Sequence, residues 1–506
     1  MDTLAHLAQG FAVAAKPINL LLALIGSFIG TIVGLLPGLG PINGVAILLP
    51  IAFALKLPPE SAIILLAAVY LGCEYGGRIS SILLNIPGDA GALMTALDGY
   101  PMAKQGLAGV ALSISAWSSF VGSVIAIVGM VLFAPALAQW ALAFGPAEYF
   151  ALMVFAICCL AGMVGERPVK TLLATLMGLF LATVGIDAAT GVYRFTFGDV
   201  HLADGVQFVV VVIGLFSVSE ILLMLEQSHA GQSVIKHTGR HMFNLKEMAY
   251  TWWGTVRSSV LGFGIGVLPG AGATIASAVT YMVEKNLTDR DGTFGNGDIR
   301  GVAAPEAANN ASATGSFVPM LTLGIPGSGT TAVMMGALTL YNITPGPLLF
   351  QQQPDLVWGL IASLFIGNVM LLVMNIPMVG FFARMLYVPS WVLVPVIAAI
   401  SFVGVYAIHA TTFDLVLMTA LGVFAFALRK LGFPMAPLIL GFVLGDMMEQ
   451  NLRRALAISD GNLAILVQSP INWVLWVLSA LALAVPLWLR RRKIALLALA
   501  TKKVPG

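Results

Sequence analysis

Long apolar runs recur along the whole sequence, and they constrain what this chain can fold into more than any other feature. A membrane-spanning helix needs about 20 predominantly apolar residues. Since 59% of the residues are hydrophobic and 9% are charged, the composition excludes a water-soluble domain. With shorter candidates included, we predict an all-α polytopic membrane protein with about ten to twelve transmembrane segments. The longest runs cover residues 18–36, 107–132, 149–164, 206–225, 356–373, 391–408, 413–428 and 471–489.

Basic residues are concentrated in a middle segment and in the C-terminal tail. Loops rich in Lys and Arg remain on the cytoplasmic side of a membrane. We therefore expect both regions in the cytoplasm, and the start of the sequence has no features of a removable signal peptide. The residues concerned are Lys236, Arg240, Lys246 and Arg257 in the middle, and Arg490, Arg491, Arg492, Lys493, Lys502 and Lys503 in the tail.

The three cysteines, Cys73, Cys158 and Cys159, all stand in apolar surroundings. Their odd number and the lack of CxxC or His spacing argue against a disulfide framework or a metal site. We expect small buried thiols.

The sequence is internally repeated. GLLPGLGP at 34–41 matches GVLPGAGA at 266–273, and LLNIPGDAGALMTAL at 83–97 matches LTLGIPGSGTTAVMMGAL at 321–338. The spacing between the motifs is slightly longer in the second copy, where a polar insertion covers 286–301. We predict two homologous halves; transporter precedent favours an inverted arrangement, although the repeat itself leaves the topology open. The expected divisions are an N-terminal segment (1–14), a first transmembrane repeat (15–225), a basic cytoplasmic connector (226–257), a second transmembrane repeat (258–450), and a C-terminal helix with a basic cytoplasmic tail (451–506).

Each motif interrupts an apolar segment with Pro and Gly, at matching positions of both halves. Irregular backbone at membrane depth is tolerated only where protein covers it or a water-filled cavity solvates it. Proline ends the helix, glycine permits positive φ, and the helix that follows presents free N–H groups to an anion. Packing and kinks are the alternative use of Gly and Pro in membrane helices. Four breaks in two matched pairs favour the central binding site of a secondary transporter.

Several stretches resemble the large membrane subunit of the tripartite tricarboxylate transporters. They are LLPGLGP at 35–41, AVYLGCEYGGRISSILLNIPG at 68–88, ALDGYPMAKQG at 96–106, VLPGAGATIASAVTY at 267–281 and GVAAPEAANNASATGSFVPMLTLGIPGS at 301–328. The resemblance implies a subunit of a bacterial inner-membrane importer of di- or tricarboxylates such as citrate. It also implies a small four-helix membrane subunit, a periplasmic solute-binding protein, and an Na⁺ or H⁺ gradient in place of ATP. The absence of a Walker loop from the sequence agrees with that.

We expect the carboxylate to bind between the halves, at main-chain amides and small hydroxyl groups. Arg78 is a further candidate ligand, because charged residues inside a membrane are usually functional. Alternatively, Arg78 forms a structural ion pair with Glu74, four residues earlier on the same helix. The candidate substrate-binding residues are Gly38, Gly40, Pro41, Asn43, Gly270, Gly272, Ala273, Thr274, Ser328, Gly329, Thr330, Thr331 and Arg78.

The candidates for the coupling ion are Asn309, Asn310, Ser312 and Asp89, whose neutral oxygens or carboxylate suit Na⁺ or a proton. The asparagines could instead serve helix packing, and Asp89 could be a helix N-cap. Glu306 follows Pro305 and is interpreted as a first-turn acidic residue favoured by the helix dipole. Asp98 in LDGYP is interpreted as a turn residue.

Other function classes fit the sequence less well. A stand-alone carboxylate carrier, without a binding protein, would have the same duplicated core and stays open. An enzyme is disfavoured because the spans carry no HExxH or GxSxG constellation, and a channel because no filter sequence is evident. We expect no cofactor beyond the coupling ion and no nucleic-acid partner, and a homodimer stays open.

Overall fold

The computed structural model describes residues 3–163, 168–187, 190–226, 240, 242–270, 272–386 and 388–501. Side chains are described within these ranges except at 162, 163, 390, 409 and 487–501. Of the residues expected to set the topology, Lys236, Lys502 and Lys503 lie outside the described residues. The side chains of Arg490, Arg491, Arg492 and Lys493 are likewise outside them.

In its described residues, the first half contains ten α-helices, with π-helical turns inside two long helical segments. A small antiparallel pair of strands, β1 (Gly185–Ile186) and β2 (Tyr193–Arg194), lies between α8 and α9. The helices are α1 (Thr3–Ala14), α2 (Pro17–Leu35), α3 (Gly40–Ala54), α4 (Pro59–Leu84), α5 (Leu93–Met102), α6 (Ala108–Ala141), α7 (Pro146–Met163), α8 (Pro168–Ala182), α9 (Phe208–Val212) and α10 (Ser219–Glu226), with π-turns at Ala103–Leu107 and Ile213–Val218 and a 3₁₀ turn at Val200–Leu202.

The second half and the C-terminal region are also helical in their described residues. Helix α11 crosses the boundary expected at 257/258, and α21 crosses the one expected at 450/451. The helices are α11 (Leu245–Val267), α12 (Gly272–Thr288), α13 (Ile299–Gly315), α14 (Phe317–Leu323), α15 (Gly329–Leu340), α16 (Leu349–Gln352), α17 (Pro354–Asn375), α18 (Val379–Met385), α19 (Ser390–His409), α20 (Thr412–Lys430), α21 (Met435–Ile458) and α22 (Pro470–Thr501), with a 3₁₀ turn at Leu463–Val467.

The predicted fold class is confirmed: this is an all-α polytopic membrane protein. In the described residues, each of the eight longest apolar runs is helical over most of its length. Seven helical segments of the described chain are long and apolar enough to cross a membrane, and five shorter apolar helices accompany them. Cys73 and Cys159 are buried as expected, while Cys158 is only partly buried.

Helices α2 and α3 form a hairpin, hairpin 1, whose tip is the turn at 36–39. Helix α2 packs in parallel against α4, with Gly26 opposite Leu65, Gly30 opposite Val69 and Gly34 opposite Cys73. A Cβ on Gly34 would lie 2.1 Å from the carbonyl oxygen of Cys73, so only glycine permits this approach. Because α4 starts beside the start of α2, α3 must return the chain from the tip.

The second half repeats this arrangement as hairpin 2, which consists of α11 and α12 with its tip at 268–270. Helix α11 runs parallel to α13, with Gly262 opposite Ala308 and Gly266 opposite Ser312. Arg300, at the start of α13, donates from Nη1 to the carbonyl oxygen of Thr288 over 2.9 Å. The end of α12 therefore lies beside the start of α13.

The long helix after each hairpin is broken a second time, at 85–92 between α4 and α5 (break 1) and at 324–328 between α14 and α15 (break 2). These two broken helices contact one another in opposite chain directions. Residue numbers fall in the first half as they rise in the second: the contacts are Asp98 with Gly301, Thr95 with Glu306, Gly91 with Asn309 and Tyr70 with Ser316. The two copies are therefore inverted, as expected, and the hairpins enter the core from opposite ends.

Candidate functional site

The hairpin tips have the backbone conformation that the PGxG motifs predict. Gly38 and Gly40, in and directly after the tip of hairpin 1 (tip 1), have φ of +91° and +64°, and Gly270 and Gly272, at the corresponding positions of the tip of hairpin 2 (tip 2), have +76° and +65°. Residues with a side chain rarely adopt this left-handed region. The matched angles explain why the sequence repeats glycine at these four positions.

Each hairpin contacts the broken helix of its own half at or next to its tip. In the second half the main-chain amide of Gly270 donates to the carbonyl oxygen of Gly327 over 3.0 Å. In the first half Gly88, the counterpart of Gly327, packs so closely that an added Cβ would lie 2.1 Å from the carbonyl oxygen of Gly34. The four interruptions predicted from the sequence therefore lie together in pairs, with one pair in each half.

The contacts between the halves link a hairpin to the opposite broken helix. Helix α3 packs on α15, and α12 packs on α5. A Cβ on Gly329 would lie 2.7 Å from Cδ1 of Ile42. Ser277 of α12 donates from Oγ to the carbonyl oxygen of Gly91 over 2.7 Å. The first contact places the α3 segment with the candidates Pro41 and Asn43 next to the candidate Gly329 of α15.

The candidate substrate residues differ in their accessibility. Two hold the backbone in place: Asn43 donates to the carbonyl oxygen of Leu39, and Ser328 caps α15 by accepting from the amide of Thr331 over 3.2 Å. Gly38 and Thr274 are exposed; Pro41, Gly272, Ala273 and Ser328 are partly buried; Gly40, Asn43, Gly270, Gly329, Thr330 and Thr331 are buried.

Two carboxyl groups lie side by side at break 1. Glu74 of α4 and Asp89 of the break interact directly, and Asn309 of α13 lies next to Glu74. Asp89 also accepts from the amide of Ala92 over 2.8 Å. The capping expected of Asp89 therefore accompanies a contact with a second carboxyl group that the sequence did not reveal.

Arg78 does not pair with Glu74. Its guanidinium group donates to Ser119 and Asn375, each over 3.3 Å, and lies 4.6 Å from the centre of the Tyr75 ring. Ser119 donates in turn to Glu306 over 3.2 Å. Arg78 thus connects α4 to α6 and α17, and its positive charge lies close enough to interact with Glu306, with which it shares the Ser119 hydroxyl.

The interpretation of Glu306 as a first-turn residue is wrong. Helix α13 begins at Ile299, Pro305 lies within it, and Glu306 is fully buried in its middle. Its carboxylate accepts from Thr95 over 2.5 Å. Proline often opens a helix, but here the helix continues through Pro305. The expected start of the helix was therefore about two turns too late.

The candidate ion ligands on α13 face different neighbours. Asn309 faces break 1, where its Oδ1 would lie 2.2 Å from a Cβ on Gly91. Asn310 donates to Ser119 over 2.8 Å, and Ser312 packs against Gly266 of α11. Of the predicted set, the structure therefore brings together only Asn309 and Asp89, with Glu74 as an additional member.

Similarity to known proteins identifies the family of this chain. The sequence model of the tripartite tricarboxylate transporter TctA family matches residues 20–440. The chain belongs to this family. It is 40% identical over 471 residues to the uncharacterized 52.8 kDa protein in the TAR-I ttuC' 3'region of Agrobacterium vitis, covering 93% of each chain. It is 46% identical over 207 residues to the uncharacterized protein in the TAR-II ttuC' 3'region of the same organism, which is 41% of this chain and 86% of that protein.

Membership in the TctA family makes this chain a multi-pass membrane subunit of a tricarboxylate transporter. The resemblance noted in the sequence is thereby confirmed. The match spans both hairpins and both broken helices. The breaks therefore belong to the part of the chain that defines the family.

Asp98 has a different role in this TctA family member from the turn residue expected. It is buried in α5 and accepts at Oδ1 from the amides of Gly295, Gly297 and Asp298, over 2.8–2.9 Å. Its Oδ2 accepts from the Tyr281 hydroxyl over 2.8 Å. Asp98 thus fastens the 289–298 loop of the second half to the first half. In the sequence, the glycine-rich composition of this loop was the only feature that pointed to such a contact.

Asp298, in the same loop, caps α13 and pairs with Arg300. Burial alone would raise the pKa of Asp298, but hydrogen bonds from Arg300 and Thr293 outweigh it and lower that pKa below its ordinary value. The loop is therefore fixed by two carboxylates, Asp98 from the first half and Asp298 from its own end.

A cavity of about 700 Å³ lies away from the breaks. It is lined by the β1–β2 region, the end of α15 and α21, and it includes an ion-pair network of Asp187, Arg194, Glu449 and Arg453. The arginines are paired with carboxylates, so this cavity offers little free positive charge to a carboxylate ligand.

Proposed function

We propose that this chain is the large transport subunit of a binding-protein-dependent secondary transporter that imports di- or tricarboxylates such as citrate. A periplasmic solute-binding protein delivers the substrate, and a small four-helix membrane subunit completes the complex. An Na⁺ or H⁺ gradient drives uptake through alternating access.

The observation that carries this proposal is the inverted pair of hairpins whose tips meet broken helices. Inverted repeats with discontinuous helices place substrate and ion sites at the repeat interface. The two copies can then exchange conformations, which opens the same site to either side of the membrane. In this proposal each hairpin moves relative to the broken helix of the opposite half.

The carboxylate is bound in this proposal by main-chain amides at the starts of α3, α12 and α15. These helix ends carry partial positive charge and free N–H groups. The exposed or half-buried positions Gly38, Pro41, Ala273, Thr274 and Ser328 support a ligand-accessible surface there. Arg78 is proposed to be structural, since it is enclosed and already donates to neutral oxygens.

The proposed location is the bacterial inner membrane with a cytoplasmic C-terminus. Arg240, Lys246 and Arg257 precede or lie within α11, so the positive-inside rule places the start of that helix in the cytoplasm. The 289–298 loop, at the same end of hairpin 2, carries Arg290 and adjoins Arg300. The start of hairpin 1 would then face the periplasm.

A stand-alone carrier is the second candidate, and the experiment is chosen to separate the two. The chain is reconstituted in proteoliposomes with or without the small subunit and the binding protein, and carboxylate uptake is measured under an imposed Na⁺ or H⁺ gradient. We expect accumulation only when all three proteins are present. Uptake by the chain alone would establish the stand-alone carrier, and a carboxylate-modifying activity without uptake would contradict transport.

A further inference from the structure

The centre of the described core holds more negative than positive groups. Glu74, Asp89 and Glu306 interact with one another, and Arg78 is the guanidinium group among them. Arg78 is engaged with Ser119 and Asn375, on the side of Glu306. The Glu74–Asp89 pair is therefore left without a basic partner in this part of the described structure.

Burying two neighbouring carboxylates without a counter-charge is costly at membrane depth. Each uncompensated charge carries a desolvation penalty of several kcal/mol, and the two repel each other. A further positive charge must therefore enter, either as a bound cation or as a proton.

The neighbouring polar atoms favour a metal cation. Asn309 is 0% exposed, and neither of its side-chain atoms makes a hydrogen bond of normal geometry. It faces Gly91 of break 1, next to Glu74. Oε2 of Glu74, which is 2% exposed, is also unpartnered. Buried polar atoms are nearly always satisfied, so these oxygens are available to bind a cation.

We propose that Glu74, Asp89 and Asn309 form the binding site for one Na⁺ ion between α4, break 1 and α13. Carboxylate and amide oxygens suit a hard cation, and glycine at 77 and 91 lets two of these side chains lie against the backbone, since an added Cβ would be 2.9 Å from Oδ1 of Asp89 and 2.2 Å from Oδ1 of Asn309. This inference rests on the proposed function, because it assigns the coupling ion to the transport core.

The site also explains how an ion could control the substrate. Asp89 belongs to break 1, and its Cβ lies 3.6 Å from the position of a Cβ on Gly40 in tip 1. An ion that holds Asp89 against Glu74 fixes break 1 next to that tip. Binding of Na⁺ therefore pre-organises the anion-binding amides of the hairpin, which couples the two ligands.

The test is direct Na⁺ binding to the purified full chain without substrate. Thermal stability is followed during titration with NaCl against choline chloride at constant ionic strength. We expect a saturable rise in Tm with Na⁺ and none with choline. No saturable effect of Na⁺ on the parent protein would overturn the proposal.

Variants locate the site. Glu74→Gln, Asp89→Asn and Asn309→Ala should each weaken the apparent Na⁺ affinity at least tenfold, which corresponds to about 1.4 kcal/mol. Glu284→Gln and Asn368→Ala are matched controls, since both residues are buried but contact Arg257 and Tyr75 instead. Parental Na⁺ affinity in every site variant that folds would overturn the proposal.

Two further outcomes separate this inference from the proposed function. If lowering the pH stabilises the protein and Na⁺ does not, the carboxyl pair binds a proton and the Na⁺ site is wrong, while carboxylate uptake can still occur. If Na⁺ binds as described but the complete complex in proteoliposomes accumulates no carboxylate, the ion site stands and the proposed function fails.

Discussion

Gly77 and Gly88 pack against each other in the first half as Ser316 and Gly327 do in the second. A Cβ added to Gly88 would lie 2.7 Å from Cα of Gly77, and one added to Gly327 would lie 2.7 Å from Cα of Ser316. The two pairs occupy corresponding positions of the repeat. Equivalent contacts thus hold both broken helices, although the two copies run in opposite directions.

Inversion predicts opposite accessibility for the two hairpin bases. Leu55 follows α3, and Asp291 follows α12; both are exposed. In a background without Cys158, Leu55→Cys should react with an impermeant maleimide from the periplasmic side and Asp291→Cys only from the cytoplasmic side. Labelling of intact and permeabilised cells measures this. Reaction of both from one side would contradict the inverted arrangement.

Loss of the Asp98 carboxylate should release the 289–298 loop. Asp98→Ala removes three amide hydrogen bonds and one from Tyr281. Hydrogen bonds to a charged group contribute about 1.5–3 kcal/mol each, so the loop should open far more often. Trypsin should then cleave after the exposed Arg290 at least tenfold faster than in the parent.

The control for this experiment is Asp291→Asn, which removes a carboxylate from the exposed part of the same loop. It should leave the cleavage rate within about twofold of the parent, since exposed charges contribute little. Equal cleavage rates for Asp98→Ala and the parent would show that other contacts hold the loop.

Crosslinks should distinguish the scaffold from the moving parts. Helices α6 and α17 pack together, and Asn368 donates to the carbonyl oxygen of Phe120 over 3.0 Å. Bridging cysteines at this contact should leave uptake above about half of the parental rate, because a scaffold keeps its internal geometry during alternating access. A tenfold loss of uptake on bridging, reversed by reduction, would contradict this assignment.

The comparison crosslink is a disulfide between α3 and α15, formed in the double variant Ile42→Cys and Gly329→Cys. These helices belong to opposite halves and follow a tip and a break. If the halves move relative to each other, oxidation should reduce uptake at least tenfold and reduction should restore it. Full uptake by the oxidised protein would place both helices in one rigid body.

The sequence alone predicted the broken helices, the repeat and the conformation of the tip glycines. These follow from local rules, because proline removes a donor and only glycine adopts positive φ readily. The partners of the buried charges could not be predicted in the same way. Glu74 and Arg78 share a helix, yet the fold turns one to Asp89 and the other to Ser119.

Asp98 and Glu306 illustrate the same limit. Both were interpreted from adjacent residues, LDGYP and a preceding proline, whereas their actual partners come from the opposite half. Their contacts depend on inverted packing, which local spacing does not encode. Where a charged residue has no counterpart at the matching position of the other repeat, a cross-repeat contact is the better expectation.

The central claim is that the broken helices of the two halves together form one carboxylate site. Substitution of the tip glycines tests this claim most directly. At Gly40 and Gly272 an added Cβ meets little or nothing, so Val would act through the strain of positive φ, about 1–3 kcal/mol. Gly264 is the matched control, because it also faces open space but has no positive φ.

The decisive measurement is equilibrium binding of the transported carboxylate to purified, folded Gly40→Val, Gly272→Val and Gly264→Val. We expect one site per chain in the parent, at least tenfold weaker binding in each tip variant, and parental binding in the control. Parental binding and uptake in both tip variants would contradict a carboxylate site built from the two tips.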